Sequence, residues 1–427
     1  MTDTIVALSS GAPPTGVAIV RVSGPRTRAI LEAIAAGVPE PRRMTRRRIG
    51  DPVIDDGLVV FFPAPNSFTG EDCAELQVHG SPAVIRALLG ALSARPGVRL
   101  ATAGEFTRRA FENGKLDLTE VEGLGDLISA ETEGQRQQAL ARMSGGLSDR
   151  IEAWRGQLID LRAEVEARLD FADEGDVGAL PPGFRQSLDS LRREIEDVAA
   201  TTDRGRIVRE GVRVALSGPP NAGKSSLLNA LTKSYVAIVT DEPGTTRDVR
   251  EVQIDLGGQL VVLLDMAGLR ETESKAEAEG VRRALGEIGA AHLVLWLVAP
   301  DVAPIPLPPT SSPILRVGTK SDLGAVAGVD LSISAVTGDG LEPLIERLRI
   351  LAGELGGGEA VLVSRARDQA ALNDAWQTLD VALGQLDNLE LVAEGLRQAS
   401  AALERLVGRI DAEAVFDRLF SAFCIGK

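Results

Sequence analysis

The chain has 427 residues, 44% hydrophobic and 25% charged, with a net charge of −15. That length predicts about three domains, and the composition is that of a soluble globular protein. Two cysteines far apart, Cys73 and Cys424, argue against a disulfide framework or a Cys-rich zinc site, and the acidity argues against a nucleic-acid grip spread over the whole surface.

The start, Met1-Thr-Asp-Thr-Ile5, lacks a basic leader, and its apolar runs are interrupted by Gly11, Pro13, Pro14 and Arg21. No signal peptide or membrane span is expected, and cysteine usage suits a reducing cytoplasm. Residues 1–117 read as an α+β domain. Thr4–Leu8 and Gly16–Val22 are β-branched runs around a Gly/Pro turn, Leu58–Phe62 and Ala74–Val78 are further strands, and Pro82–Ala94 is a helix. The basic run Arg42, Arg43, Arg46, Arg47, Arg48 has no interleaved aromatics and reads as a solvated loop or strand edge.

From 118 to 206 the period changes to 3.6. Ile151, Trp154, Leu158, Leu161 and Val165 form one stripe; Phe184, Leu188, Leu191 and Ile195 form another after the break at Pro181-Pro182-Gly183. The same spacing returns in 358–427, at Leu396, Leu403, Leu406 and Ile410. Between these blocks, 207–357 alternates strands and helices. Val212–Ser217, Val249–Leu256, Leu260–Asp265, Leu293–Val298, Ile314–Val317 and Leu331–Ile333 read as six strands, with Gly257-Gly258 as a two-residue hairpin. The expected fold is multidomain: an N-terminal α+β domain, a discontinuous all-α helical domain, and an inserted α/β phosphate-loop domain with a six-stranded mixed sheet.

The inserted domain carries the chemistry. Gly218-Pro-Pro-Asn-Ala-Gly-Lys-Ser225 has the form G-x-x-x-x-G-K-S between a strand and a helix. Asn221, Ala222, Gly223, Lys224, Ser225 and Ser226 are the expected phosphate contacts, with Lys224 on the β/γ-phosphates and the Ser225 hydroxyl on Mg²⁺. In Gly244-Thr-Thr-Arg-Asp248, Thr245 and Thr246 are both candidates to sense the γ-phosphate, Thr246 being favoured for Mg²⁺. Asp265-Met-Ala-Gly268 is a strand-end D-x-x-G, whose acid can hold Mg²⁺ through water and whose Gly268 N–H can meet the γ-phosphate. Thr319-Lys320-Ser-Asp322 follows a strand. Asp322 can accept from guanine N1–H and its 2-amino group, with Ser334-Ala335 offering an N–H to O6 and Lys320 lying along the base. Thr319 stands where N-K-x-D has Asn, which predicts one weaker structural hydrogen bond. The order and spacing favour GTP. Leu269 occupies the place of the water-orienting Gln of Ras. Asn221 could hold a K⁺ ion beside the phosphates, and Glu277 could orient the water. On the residues alone, a turn-stabilising amide and a solvated acid stand open beside those roles.

With Thr4-Ile-Val-Ala7, Asn66-Ser-Phe-Thr-Gly-Glu-Asp72, Glu75-Leu-Gln-Val-His-Gly80, Asn113-Gly-Lys-Leu-Asp-Leu118 and the terminal Phe423-Cys-Ile-Gly-Lys427, nearly the whole chain resembles the bacterial MnmE (TrmE) family of tRNA-modification GTPases. The resemblance implies a tetrahydrofolate derivative of the 5-formyl or methylene type bound by the N-terminal domain through Arg21, Glu75, Lys115 and Lys427. It implies a homodimer built on that domain, K⁺ held by Asn221, Thr240, Glu242 and Thr245, GTPase-domain dimerisation, Glu277 as the catalytic glutamate, and Cys424 in the modification chemistry. It also implies a flavoprotein partner, MnmG (GidA), in a heterotetrameric complex that adds an aminomethyl or carboxymethylaminomethyl group at C5 of the tRNA wobble uridine. Met266 departs from the more usual Thr, which predicts altered packing. A second reading, a ribosome-assembly GTPase switch of the Era/EngA type, predicts an appended basic RNA-binding domain where this chain has acidic helices.

Overall fold

The computed structural model describes residues 3–170, 179–234, 237–238, 250–266, 286, 289–307, 309–358, 361–410, 419–421, 423 and 426. Their contacts divide them into two units, one of residues 1–125 with 403–427 and one of residues 126–402.

In the first unit the alternating runs become a six-stranded sheet in the order β3-β4-β5-β2-β1-β6, with β1 Thr4–Leu8, β2 Thr15–Ser23, β3 Thr45–Ile49, β4 Asp55–Phe62, β5 Cys73–Gly80 and β6 Val98–Leu100. Period-two alternation sends Ala18, Val20 and Val22 of β2 and Leu76 and Val78 of β5 to one face. There they meet Ile30 and Leu31 of α1 (Thr27–Ile34) and Ile85, Leu88 and Leu92 of α2 (Pro82–Ser93). Helix α2 starts where the sequence says it should: Ser81 caps the Ala83 and Val84 N–H groups and Pro82 stands at the first turn. Arg46, Arg47 and Arg48 of the arginine run lie on the edge strand β3, with Arg42 and Arg43 just before it, and charge there discourages pairing with another chain.

Helix α3 (Glu105–Glu112) places Arg109 inside the unit. Its guanidinium, 1% exposed, pairs with Asp3 at 2.9 Å and with Glu71 and Glu105 at 3.1 Å. Burial alone would raise the Glu105 carboxyl, but hydrogen bonds from Arg99, the Thr102 N–H and Arg109 outweigh it and hold it down to about 2. The described part of the C-terminus belongs here too. Phe420 and Phe423 pack on Val121. Gly104 (φ 67°) lets the chain approach so closely that a Cβ would stand 2.4 Å from the Phe420 carbonyl oxygen.

In the second unit, β7 Val212–Ser217, β8 Ala237–Ile238, β9 Arg250–Leu256, β10 Gln259–Asp265, β11 Leu293–Val298, β12 Ile314–Gly318 and β13 Leu331–Ser332 form a seven-stranded sheet ordered β13-β12-β11-β7-β10-β9-β8. The six expected strands are all present, and the two-residue β8 adds a seventh at the edge. β10, β7, β11, β12 and β13 pair in parallel, and β9 pairs antiparallel with β10 through Gly257 (φ 67°) and Gly258 (φ 86°), the positive angles a tight hairpin needs. Both sheet faces are apolar, as a buried parallel sheet requires. Val214, Leu216, Leu263 and Leu295 face one side, with Leu227 and Leu231, and Ala215, Val262, Leu264 and Val294 face the other.

The helices of this unit follow their stripes. In α6 (Gly146–Asp170) Ile151, Trp154, Leu158, Leu161 and Val165 are buried; in α7 (Phe184–Ala200) Leu188, Leu191 and Ile195 are. Between α6 and α4 (Leu118–Ser129) lies a short helix, α5 (Glu133–Met143), opened by a Thr132/Gln135 capping box. It touches the sheet region at three places. The Gly134 N–H donates to the Gly258 carbonyl at the hairpin tip (2.8 Å). Gln135 Nε2 donates to the Arg209 carbonyl at 2.9 Å, near the end of α8 (Thr202–Glu210), which leads into β7. Gln138 Nε2 donates to the Gly205 (3.1 Å) and Val361 (2.9 Å) carbonyls, the latter just after the last helix of the sheet region, α10 (Leu341–Gly356). A fully buried ion pair, Arg142–Asp368 at 2.9 Å, closes the far end of α5 onto α11 (Ala366–Leu383). No helix among the described residues is long and apolar enough to cross a membrane.

Candidate functional site

Strand β7 ends at Ser217, and α9 (Lys224–Ser234) begins after a glycine-rich loop. Gly218 adopts φ 147°, where a Cβ would stand 2.4 Å from the Leu297 carbonyl oxygen, so only glycine fits. Asn221 is left-handed at φ 64°, a conformation Asn tolerates better than most residues. The first hydrogen bond of α9 runs from the Leu227 N–H to the Gly223 carbonyl. The N–H groups of Gly223, Lys224, Ser225 and Ser226 precede it, and among the described residues nothing accepts from them. Orphan donors at the positive end of a helix dipole form an anion site.

The side chains around this nest are arranged for the same ligand. Lys224 Nζ donates to the Gly218 (2.8 Å) and Pro219 (2.9 Å) carbonyls. Burial pushes its ammonium below the ordinary lysine value, and the Asp265 carboxylate pulls it back up. Asp265 ends β10 and is 2% exposed. Its Oδ2 accepts from Ser225 Oγ at 3.4 Å, while its buried Oδ1 has no partner among the described residues. A buried carboxylate oxygen without a donor is costly unless a cation or its water comes there. The hard oxygens of Ser225 and Asp265 therefore fit Mg²⁺. Met266 also lines the cleft, 3% exposed and packed with Ala215, Leu264 and Val294, so the departure from Thr is absorbed as apolar packing.

At the other end of the cleft lies the 319–335 region. Thr319 Oγ1 donates to the Ala222 carbonyl at 2.6 Å and stands 3.2 Å from the Val298 carbonyl. The expected weaker bond is thus present and short: Thr319 ties this loop directly to the phosphate loop. Ser334 Oγ donates to Asp322 Oδ1 at 2.5 Å and accepts the Thr337 N–H at 3.2 Å, which fixes the carboxylate. The Ser334 N–H is taken by the Asp339 carbonyl (2.9 Å), and among the described residues nothing accepts from Ala335 N–H. Lys320 is left-handed (φ 53°), and its Nζ pairs with Asp301 at 2.7 Å. The open cleft lined by the phosphate loop, Met266, Asp301 and Lys320 has a volume of about 850 Å³. Asp301 was missed in the sequence; the available signal was an acid just past the end of the buried strand β11.

Thr240, Glu242, Thr245, Thr246, Gly268, Leu269, Glu277, Cys424 and Lys427 lie outside the described residues. In the first unit the structure brings Arg21 and Glu75 together as a β2–β5 pair, with Arg21 Nη2 donating to Glu75 Oε1 at 2.8 Å and both side chains mostly buried. The Arg21 guanidinium lies 5.5 Å from the centre of the Phe68 ring. The Lys115 stem runs beside Gly70 on the same 66–72 loop, which Asn113 Nδ2 pins through the Thr69 carbonyl at 2.7 Å.

A parallel sheet with a cleft beyond the carboxyl ends of its strands, a glycine-rich loop opening a helix, and a Lys, Ser and strand-end Asp around it define a phosphate-loop nucleotide-binding protein of the GTPase class. Residues 4–115 match the family model described as GTP-binding protein TrmE N-terminus, and residues 118–424 match the MnmE helical domain. The chain is 51% identical to the tRNA modification GTPase MnmE of Azorhizobium caulinodans and 52% identical to that of Rhizobium johnstonii, in both cases over 100% of this chain and 99% of that protein. The chain belongs to the MnmE (TrmE) family. Among solved structures it resembles the G domain of the T. maritima FeoB iron transporter, at 28% identity over 33% of this chain and 98% of that chain, with a TM-score of 0.24.

Proposed function

We propose that this chain hydrolyses GTP in the modification of tRNA. The observation that carries the reading lies at the phosphate loop: among the described residues four consecutive N–H groups and the Asp265 Oδ1 have no partner, beside the desolvated Lys224 that lines the cleft. The 223–226 N–H groups bind the β- and γ-phosphate oxygens, and Lys224 exchanges two loop carbonyls for phosphate. Ser225, Asp265 through water, and Thr246 would hold Mg²⁺, which supplies positive charge against the phosphate oxygens. Asp322, held by Ser334, accepts from guanine N1–H and the 2-amino group; the Ala335 N–H faces O6. Adenine lacks that donor pair.

Leu269 cannot orient a water, so Glu277 takes that role. Asn221, with Thr240, Glu242 and Thr245, would hold K⁺, which would supply the kind of positive charge that an arginine finger supplies. The family resemblance supports this ion, the pairing of two GTPase domains and a homodimer in the cytoplasm. It also supports a one-carbon tetrahydrofolate derivative at Arg21, Glu75, Lys115 and Lys427, and Cys424 in the modification chemistry. The partner is the flavoprotein MnmG, and the product is a C5-aminomethyl or carboxymethylaminomethyl wobble uridine. The acidic surface fits a division of labour in which the partner carries much of the tRNA grip. Mass spectrometry of tRNA from a deletion strain tests the reading, and an unmodified wobble uridine is the expected result. Turnover is expected to be faster in KCl than in NaCl and lost in Glu277→Ala; equal rates in both salts remove the K⁺ role.

A further inference from the structure

Asp301 is out of place by charge. It lines a cleft built for a polyphosphate, and among the described residues it is the one acid on the lining beside the phosphate loop, with Asp265 behind that lining and Asp322 at the guanine-reading end. A carboxylate there repels the ligand the rest of the cleft attracts, unless its charge is answered on the spot. It is answered: Lys320 Nζ lies 3.0 Å from Oδ1 and 2.7 Å from Oδ2, and this contact lowers the Asp301 carboxyl below its ordinary value.

Lys320 is itself held in an uncommon state. Its backbone is left-handed at φ 53°, a conformation that is costly for a non-glycine residue and persists only where the surroundings impose it. The surroundings do so at both ends. The Leu323 N–H donates to the Lys320 carbonyl at 2.9 Å and the next residue's N–H, from Ser321, donates to the Ile333 carbonyl at 3.0 Å, while Asp301 anchors the ammonium. With backbone and tip fixed, the four-carbon stem between them has little freedom. Both residues line the cleft, Asp301 just past the end of β11 and Lys320 on the loop after β12 that also carries Asp322.

We infer that Asp301 is a positioning residue for the nucleotide base: by anchoring Lys320 it lays the lysine stem as a fixed apolar rail beside the purine and keeps that ammonium from being drawn to the phosphates. The inference rests on the guanine-nucleotide reading above and names how that site orders its base end.

The test is steady-state GTP hydrolysis by the full chain carrying Asp301→Asn, with inorganic pyrophosphate as a competitive probe of the phosphate end alone. KM for GTP is expected to rise about two- to five-fold, the scale of a half-exposed ion pair, with kcat unchanged. Pyrophosphate inhibition should stay the same or strengthen, since a negative charge has left the cleft. Asp301→Glu should restore KM. An unchanged KM, or a parallel loss of pyrophosphate inhibition, overturns the inference, because the first shows no role at the base and the second shows a general collapse of the cleft. Competition of ATP against GTP in the unaltered protein is measured alongside. If ATP competes as well as GTP, the guanine reading fails by itself, whatever Asp301→Asn does.

Discussion

Around the phosphate loop, polar groups stand without partners among the described residues; at the Arg21–Glu75 end of the N-terminal sheet, Arg21, Arg99 and Arg109 are already paired. Among the described residues, the loop's four N–H groups and the buried Asp265 Oδ1 go unanswered. Arg21 has Glu75, Arg109 has Asp3, Glu71 and Glu105, and Arg99 has Asp3 and Glu105. The two regions therefore respond differently to a ligand. At the loop, binding adds interactions that the protein alone lacks. At the sheet, a ligand has to exchange partners that the protein already supplies.

The largest effect should break the loop's function while sparing its fold. Lys224→Ala is expected to lower GTP turnover by about 10²–10³-fold, while the urea midpoint of the nucleotide-free protein stays level or rises. A drop in that midpoint would mean that the loop, too, is satisfied by itself. The paired region should show the reverse. Glu105→Gln is expected to destabilise the protein by about 2 kcal/mol at pH 7. The folded Glu105 carboxyl sits at about 2, below its ordinary 4.5. Its contribution is therefore full above that ordinary value and disappears as pH falls toward 2. Urea titrations of both proteins down the pH scale should converge; a constant gap would break the electrostatic account. Next, Thr319→Ala removes the bond to the Ala222 carbonyl and should weaken GDP binding about five-fold, the size of one hydrogen bond, with little change in kcat; nucleotide titration checks it. The smallest effect belongs to Arg21→Gln. Stability should fall by about 1 kcal/mol or less, by thermal melting, while affinity for a reduced folate falls more than stability does.

Much of the cleft was legible because its determinants are contiguous. A glycine that must be glycine, followed by a lysine and a serine at a helix start, is written in eight neighbouring residues, 218–225. The sheet was legible for the same local reason, since its buried strands are runs of Val and Leu. What escaped is non-local or too short to carry a pattern. The two-residue β8 has no period, and α1 begins after Arg26 with no side-chain cap to announce it. The arginines of strand β3 leave two readings open, a solvated loop or a strand edge, because an exposed edge need not alternate apolar and polar residues. Asp301 and Lys320 meet across nineteen positions, and Thr319 reaches Ala222 across ninety-seven, distances that no motif spans.

The short helix α5 has a mechanical consequence. A domain inserted into another is tethered by its two chain crossings, and when these lie side by side they act as a door hinge with one free axis. Here α5 grips both crossings, through the Gly205 and Arg209 carbonyls on the way in and the Val361 carbonyl on the way out. It also grips the Gly258 hairpin tip. A third fastening off the hinge line turns a hinge into a bracket. Any displacement of the β9–β10 hairpin must then either pull its fastening loose or carry α5 along with it, and α5 is bolted at its other end to Asp368.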